Sequence, residues 1–315
     1  MPRDYAAAQA ALGENVEPLI PKIEAIALDA FLARQFPPRN TLLAPWLPEK
    51  GLAMVFAPRG VGKTHFALNV AYAVASGGSY LRWRADGPRK VLLLDGEMPA
   101  VALQERLADI VAHNAGEPPA ADFIRLLPYD LFELGGPDLS TREGQKELEP
   151  LIGDAALILV DNISTICRAG KENEAESWGL IQGWALEQRR KGRTVLFVHH
   201  AGKGGEQRGT SKREDVMDSV VKLARPTDYN PSEGARFIVT FTKSRGFSGP
   251  DAEAFEATLN EGLWFTKSLD DVRTAQILQL HEEGLTQREI ASEVGVGLGT
   301  VNRTLKAYKG AENVA

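Results

Sequence analysis

A glycine-rich stretch between an apolar segment and a helical segment constrains the fold of this chain more than any other feature. Residues 52–56 are apolar and predict a buried strand, and residues 65–75 have the spacing of a helix. Between them the chain reads Ala-Pro-Arg-Gly-Val-Gly-Lys-Thr over residues 57–64. A strand, a glycine-rich loop ending in Gly-Lys-Thr and a helix together surround phosphate groups with backbone N–H donors. The sequence therefore predicts an α/β domain that binds a nucleotide.

The roles of the loop residues follow from their places in this motif. Lys63 is expected to reach the β- and γ-phosphates of ATP, and the Thr64 hydroxyl is expected to bind Mg²⁺. Ala57 stands where the first glycine of the motif is usual, which we expect to alter the packing behind the loop rather than phosphate binding. A turn with a chance Lys-Thr pair is the weaker alternative, because the strand and the helix are both present. The predicted nucleotide-binding residues are Pro58, Arg59, Gly60, Val61, Gly62, Lys63, Thr64 and His65.

Composition sets limits on the class of protein. The chain has 315 residues, of which 25% are charged and 43% are apolar, as in an ordinary globular protein with room for one large domain and a small one. Its apolar runs are too short to cross a membrane, its first residues do not resemble a signal peptide, and Cys167 is its single cysteine. We therefore expect a cytoplasmic protein without disulfides. The net charge of −6 means that any surface for nucleic acid must be local.

Short apolar segments alternate with helical segments between about residues 41 and 266. Two of these segments, 91–94 and 156–160, are wholly apolar, as expected for strands buried on both faces. This alternation predicts an α/β fold with a mainly parallel sheet. Three later segments lack intervening helices and predict antiparallel strands at one edge of that sheet. The other predicted strands are 123–127, 194–198, 237–242, 254–259 and 263–265, and the predicted helices include 101–111 and 174–190.

Acidic residues follow two of the apolar segments. Asp161 follows residues 156–160, and we predict that it is the second group that holds Mg²⁺, since nucleotide triphosphatases place such an acid at the end of a buried strand. The next residue is Asn162, where many motor ATPases have the glutamate that polarises the attacking water. Either hydrolysis is slow or the base comes from elsewhere. Glu97 follows residues 91–94 and is the predicted general base, whereas Asp95 is a weaker candidate with a turn as its other role.

A pair of histidines, His199 and His200, ends the segment that begins at residue 194. Zinc binding is not favoured, because no third ligand lies nearby in the sequence. A histidine at this place can hydrogen-bond the γ-phosphate and so distinguish ATP from ADP. Capping of the strand end is an equally good interpretation for one of the two.

Taken together, these motifs resemble the RecA-like hexameric ATPases of the DnaB branch, and among them the RepA-like replicative helicases. The resemblance covers about residues 41 to 266. It implies a RecA-type core, a ring of six subunits, ATP bound between neighbours, Glu97 as the base and a strand-ending histidine that contacts the γ-phosphate. The matching segments are 57–64, 94–99, 158–162, 199–203 and 208–218.

The resemblance also implies a role for Lys243 and Arg245. In DnaB-type proteins a Lys-x-Arg sequence after a late strand reaches the nucleotide of the adjacent subunit, where arginine stabilises charge on the transferred phosphoryl group. A solvated basic hairpin is the alternative. The earlier segment 203–213 is rich in glycine and suits backbone contacts to single-stranded DNA, with an ordinary subunit-interface loop as the alternative. Its predicted DNA-binding residues are Lys203, Arg208, Lys212 and Arg213.

The last fifty residues predict a separate helical domain. Thr286 and Glu289 form the pattern of a capping box at the start of a second helix, between predicted helices at 271–283 and 298–308. The pattern resembles a helix-turn-helix, which implies that the third helix faces the major groove of duplex DNA or its phosphates. A protein-docking module is the alternative. The residues that would face DNA are Thr300, Asn302, Arg303 and Lys306.

The expected organisation is a helical arm over residues 1–40, a RecA-like ATPase domain over 41–267 and a helix-turn-helix domain over 268–315. We expect an ATP-hydrolysing motor that acts on DNA, most simply a hexameric helicase that needs Mg²⁺ and has no membrane partner. The alternatives are a DNA-binding regulator switched by ATP, and a recombination or repair ATPase that does not unwind DNA. A small-molecule kinase is disfavoured, because it leaves the C-terminal domain unexplained.

Overall fold

The structure is a computed structural model that describes residues 24–114, 116–168, 174–201 and 213–312. The chain divides into two compact units, Met1–Arg39 and Asn40–Ala315. In the first unit the described residues form one short helix, α1 (Leu28–Leu32), which has no buried residue. The prediction of a helical arm over residues 1–40 therefore lies mostly outside the described residues.

The second unit alternates strands and helices over most of its length. Its short strands are β1 (Thr41–Leu43), β2 (Leu47–Pro48), β4 (Ser79–Tyr80) and β5 (Trp83–Arg84). The longer strands are β3 (Leu52–Ala57), β6 (Val91–Asp95), β7 (Ile124–Pro128), β8 (Leu157–Asp161), β9 (Thr194–His200), β10 (Ser219–Ala224), β11 (Arg236–Ser244), β12 (Phe255–Asn260) and β13 (Leu263–Ser268). The helices are α2 (Lys63–Ser76), α3 (Ala100–His113), α4 (Arg142–Ile152), α5 (Ile163–Ile166), α6 (Glu174–Arg190), α7 (Leu269–Glu282), α8 (Gln287–Val294) and α9 (Leu298–Glu312).

Within the described residues, the nine longer strands form one sheet in the order β13-β12-β11-β10-β3-β9-β8-β6-β7. The strands from β10 to β7 in this order pair in parallel, and β10 to β13 pair antiparallel. The predicted fold class, a mainly parallel sheet with antiparallel strands at one edge, is confirmed. Several elements were not predicted from the sequence. The longest are β10, which pairs directly with β3, and the helix α4, and the shorter ones are β1, β2, β4, β5 and α5.

Helices cover both faces of the parallel part of the sheet. Alternate residues of β3 pack into two separate cores, because successive side chains of a strand point to opposite faces. Ala53 and Val55 lie in the core that contains the apolar side of α2, whereas Met54 and Phe56 lie in the core that contains α6. Burial on both faces explains why β3, β6 and β8 are composed almost wholly of apolar residues.

The three C-terminal helices form a small core of their own. Ser268 ends β13, and its hydroxyl accepts a hydrogen bond from the Asp271 N–H at 3.0 Å, so the chain passes from sheet to α7 through an N-cap. The capping box of Thr286 and Glu289 is present at the start of α8, as predicted. The side chains at the centre of this core are Ile277, Ile290, Val301 and Leu305. In the described part of the chain, every helix is too short or too polar to cross a membrane.

Candidate nucleotide-binding site

The glycine-rich loop connects β3 to α2 at the carboxyl edge of the sheet. Gly60 and Gly62 have φ values of 77° and 112°, in the left-handed region that a side chain disfavours. Lys63 is the first residue of α2, so the free N–H groups of the first helical turn lie at this loop. Ala57 is the buried last residue of β3, and a strand position does not require glycine. The loop can therefore surround phosphates despite the departure from the usual motif.

Lys63 lies folded over the loop. Its buried Nζ donates a hydrogen bond to the Pro58 carbonyl oxygen at 3.1 Å. Burial lowers the pKa of Lys63, and the nearby carboxylates of Glu97 and Asp161 act in the opposite direction. The ammonium group thus lies beside two acids and next to the loop. The negative charge of a polyphosphate bound there would further stabilise this ammonium group.

A cavity of about 280 Å³ lies against the loop and collects residues from three segments. Glu97 and Met98 come from the loop after β6, and His200 is the last residue of β9. Arg106, on α3, also lines the cavity and was not predicted; its only signal in the sequence is that it follows Glu97 by nine residues. The full set of lining residues is Arg59, Gly60, Gly62, Lys63, Thr64, Glu97, Met98, Arg106 and His200.

Asp161 and Asp95 end the neighbouring strands β8 and β6, in register with each other. Burial raises the pKa of Asp161 to about 7, and the Thr64 hydroxyl nearby offsets part of this increase. Both carboxylate oxygens of Asp161 are buried, with the Thr64 hydroxyl beside them. Two buried carboxylate oxygens beside a hydroxyl are a donor set that fits Mg²⁺, which prefers oxygen ligands.

Asp95 holds the turn that carries Glu97. Its Oδ1 accepts hydrogen bonds from the Met98 N–H at 2.8 Å and from the Glu97 N–H at 3.3 Å. Of the two roles considered for Asp95, a base or a residue that holds the turn, these contacts support the second. Burial raises the pKa of Asp95, and the two backbone N–H groups oppose that shift.

Glu97 and His200, which line the cavity, both contact Asn162 behind them. The Asn162 Nδ2 donates a hydrogen bond to the Glu97 Oε2 and lies 3.2 Å from the His200 Nε2. The His200 Nε2 is 3.5 Å from the Glu97 Oε2. His200 is therefore the histidine of the pair that reaches the site. His199 is buried, and its Nε2 accepts a hydrogen bond from Arg213 at 2.8 Å.

Lys243 and Arg245 lie at the end of the sheet opposite the glycine-rich loop. β11 runs antiparallel to β10, so that Ser244 pairs with Ser219 at the amino end of β10. The carboxyl end of β10, beside the loop, is about six residues or roughly 20 Å away. Here Lys243 donates to the carbonyl oxygens of Glu214 and Asp215, and Arg245 donates to that of Asp215 at 3.3 Å. These two cations are thus remote from the phosphate loop of their own chain.

The family of the chain follows from its similarity to known proteins. Residues 17–206, more than half of the chain, match the family described as an AAA domain. The chain belongs to this AAA domain family. Residues 269–315 match a homeodomain-like domain. The protein is therefore a P-loop ATPase with a C-terminal helix-turn-helix, whereas its narrower resemblance to RepA-like helicases stays a prediction.

The fold of the AAA domain is shared with a solved structure. A KaiC-like protein from the hyperthermophilic archaeon Pyrococcus horikoshii has 15% sequence identity and a TM-score of 0.51, over 73% of this chain and 99% of that chain. At this identity the similarity shows the fold alone, which is the RecA-like fold of a P-loop ATPase. No curated protein matches the chain.

Two residues near the loop have roles that were not predicted from the sequence or were predicted differently. Arg225, which follows β10, donates from Nη2 to the Gly60 carbonyl oxygen at 2.9 Å, and its guanidinium lies 4.3 Å from the centre of the Tyr229 ring. The His65 ring packs edge-on against Trp264, with ring centres 5.6 Å apart, and contacts Asn69. We therefore expect any phosphate contact of His65 to come from its backbone N–H.

The predicted single-stranded DNA surface is described only at its end. Lys203, Arg208 and Lys212 lie outside the described residues. Arg213 is only 8% exposed, and its guanidinium contacts His199 and lies 5.6 Å from the centre of the Trp178 ring. The guanidinium of Arg213 is thus held by contacts within its own chain, and its contact with DNA stays a prediction.

The predicted duplex-binding residues lie on the third helix of the homeodomain-like domain. Asn302, Arg303 and Lys306 are exposed on α9, and Thr300 is half-buried. Positions 302, 303 and 306 lie on one helical face, since residues three or four apart are neighbours on a helix. Arg303 contacts its own helix through the Gly299 carbonyl oxygen at 3.4 Å. This face presents two cations and one amide to solvent.

Proposed function

We propose that this protein is an ATP-hydrolysing motor that acts on DNA, of the type found in RepA- and DnaB-like hexameric helicases. The observation that carries the proposal is the arrangement of Lys63, Glu97 and His200 around one cavity, with Asp161 buried beside Thr64. A lysine for the phosphates, an acid for Mg²⁺ and a separate acid for water are the parts that phosphoryl transfer to water requires.

Each residue of the site has a distinct role in the proposed hydrolysis. The loop N–H groups and Lys63 bind and orient the phosphates, and Glu97 accepts the proton of the attacking water. Thr64 and Asp161 would hold Mg²⁺, which neutralises charge on the phosphate oxygens when it is bound. The contacts of His200 with Glu97 and Asn162 support a role for His200 in distinguishing ATP from ADP at the γ-phosphate.

The position of Arg245 supports action between subunits. Arg245 and Lys243 lie at the end of the sheet opposite the loop, and this separation from their own nucleotide site supports a contact with the nucleotide of another copy. Arginine supplied from a neighbour makes hydrolysis depend on assembly. A ring of six subunits is the assembly that the RepA-like resemblance implies.

DNA would bind at two places. The exposed face of α9, with Arg303 and Lys306, has the charge and the helical geometry for duplex DNA. The segment 203–213 is the proposed contact for a single strand in the ring channel. Backbone contacts of this kind are electrostatic and weaken steeply with salt.

Strand displacement tests the proposal. The full chain with ATP and Mg²⁺ is expected to separate a forked duplex in a fluorescence unwinding assay, and the Lys63→Ala variant is expected to bind the fork without separating it. Mass measurement with ATP and single-stranded DNA is expected to give six subunits. ATP turnover without strand displacement on any fork polarity would contradict the motor assignment.

One observation favours a second function, a DNA-binding regulator switched by ATP. The helix-turn-helix continues directly from β13 through Ser268, and Gln276 on α7 donates to the Asp228 Oδ2 at 3.4 Å. A DNA-binding domain that is fixed to the ATPase sheet can change the orientation of its DNA-binding helix when the strands at that edge of the sheet move. ATP-dependent duplex binding without strand separation would identify this function.

A further inference from the structure

Asn162 occupies the position next to Asp161 and is fully buried, at 0% exposure. Its side-chain oxygen accepts a hydrogen bond from the Ser164 N–H at 2.9 Å and so caps the short helix α5. This contact fixes the orientation of the amide, because an oxygen that caps the helix leaves the NH₂ group pointing away from it. The NH₂ group of Asn162 therefore points away from α5, toward Glu97 and His200.

The group that it meets there is the predicted base. The Asn162 Nδ2 donates to the Glu97 Oε2, across 65 residues of sequence, and reaches the His200 Nε2 at 3.2 Å. The Glu97 side chain is 41% exposed and has three rotatable bonds, so burial alone does not hold it. A buried amide on a rigid strand end supplies the contact that selects one orientation of a mobile carboxylate.

We propose that Asn162 is a positioning residue, which holds the Glu97 carboxylate toward the water that attacks ATP. The inference rests on the proposed role of Glu97 as base and adds the residue on which that role depends. Hydrogen bonds to a carboxylate are among the stronger ones in proteins, and a group misplaced by about 1 Å loses on the order of 100-fold in rate. In this chain the residue after Asp161 thus orients the base instead of being the base.

The variant Asn162→Ser separates this role from helix capping. Serine is as good an N-cap as asparagine, but its hydroxyl is too short to reach Glu97. We expect kcat for ATP hydrolysis to fall about 10- to 100-fold, while the affinity for ATP changes by less than about threefold. Asn230→Ser is the matched control, since the Asn230 Oδ1 accepts from the Ser232 N–H at 3.1 Å in the same capping geometry and Asn230 does not line the cavity. The kcat of the Asn230→Ser variant is expected to equal that of the unaltered protein.

Two further variants keep the test decisive. If Asn162→Ser fails to fold by circular dichroism, Asn162→Asp replaces it, because aspartate keeps the volume and the cap but places an oxygen against Glu97. In a Glu97→Gln background the Asn162 substitution is expected to cause no additional loss in single-turnover rate. Unchanged kcat in the folded Asn162 variant would overturn the inference, as would an equal loss of ATP affinity. If Glu97→Gln itself hydrolyses ATP normally, the proposed base fails and the positioning role fails with it.

Discussion

Replacement of Gly96 by alanine is expected to displace the loop that carries Glu97. The Gly96 N–H donates to the Asp161 carbonyl oxygen at 2.8 Å, which holds this loop against the end of β8. A Cβ atom on Gly96 would lie 2.7 Å from the Thr165 Oγ1 and 2.8 Å from the Ile166 Cγ1. Ile166 is fully buried and Thr165 takes part in the capping box of α5, so the loop has to move rather than these side chains.

The size of the effect follows from these contacts. Non-bonded carbon atoms prefer separations of about 3.5–4.0 Å, so the loop must shift by roughly 1 Å. Such overpacking costs about 1–3 kcal/mol of folding free energy. A base that moves by this amount is expected to lose on the order of 100-fold in kcat. Phosphate binding by the Lys63 loop is not altered directly, and we expect the ATP dissociation constant to change by less than about threefold.

Steady-state ATP hydrolysis, nucleotide titration and thermal unfolding together measure these quantities. Gly183→Ala is the matched control, because a Cβ at Gly183 on α6 would meet nothing within 4 Å. Gly183→Ala is expected to raise the free energy of unfolding by about 0.5–1 kcal/mol, which stabilises the protein, and to leave kcat unchanged. A Gly96→Ala variant that hydrolyses ATP at the rate of the unaltered protein would refute the packing of the Glu97 loop described above.

Three other predictions concern the subunit contact, the DNA surface and acid stability. Arg245→Ala is expected to lower ATP turnover by roughly 10³-fold, and mixing it with Lys63→Ala should restore part of the activity, because one interface then has both groups intact; unchanged turnover would contradict the contact. Arg303→Ala with Lys306→Ala is expected to weaken duplex binding about tenfold with ATP hydrolysis unchanged, which a gel-shift titration measures. Partial burial raises the pKa of Glu149, but hydrogen bonds from a neighbouring arginine and lysine prevail and lower it to about 2. Stability from Glu149 is therefore present above its ordinary pKa of 4.5 and lost as pH falls towards 2, so Glu149→Gln should flatten the decline of Tm over this range.

The strand, the glycine-rich loop and the helix at the proposed phosphate site could be predicted because their determinants are contiguous in sequence. The strand before it, the two glycines and the helix after it all follow within 25 residues, and local patterns specify each of them. Glu97 could also be selected, since apolar strands β6 and β8 both end in acids and parallel strands bring such ends to one edge. The contact between Asn162 and Glu97 could not, because it depends on side-chain orientations 65 residues apart.

The omissions have physical reasons. Lys222 interrupts the apolar run of β10, so the pattern does not predict a buried strand there or the place of Arg225 at its end. Basic residues and glycines predict a DNA contact for the segment that ends at Arg213, but they do not reveal that its guanidinium is buried beside Trp178. The choice between His199 and His200 required the strand register, which pairs His200 with Ala57 beside the loop.

Single-turnover hydrolysis by the Glu97→Gln variant, measured together with its affinity for ATP, tests the proposed site most directly. Glutamine keeps the size of the side chain and can still bond to its neighbours, but it cannot accept the proton of the attacking water. We expect ATP to bind within about threefold of the unaltered protein and the hydrolysis rate to fall by roughly 10²–10⁴-fold. Hydrolysis at the unaltered rate would show that the base is a different group.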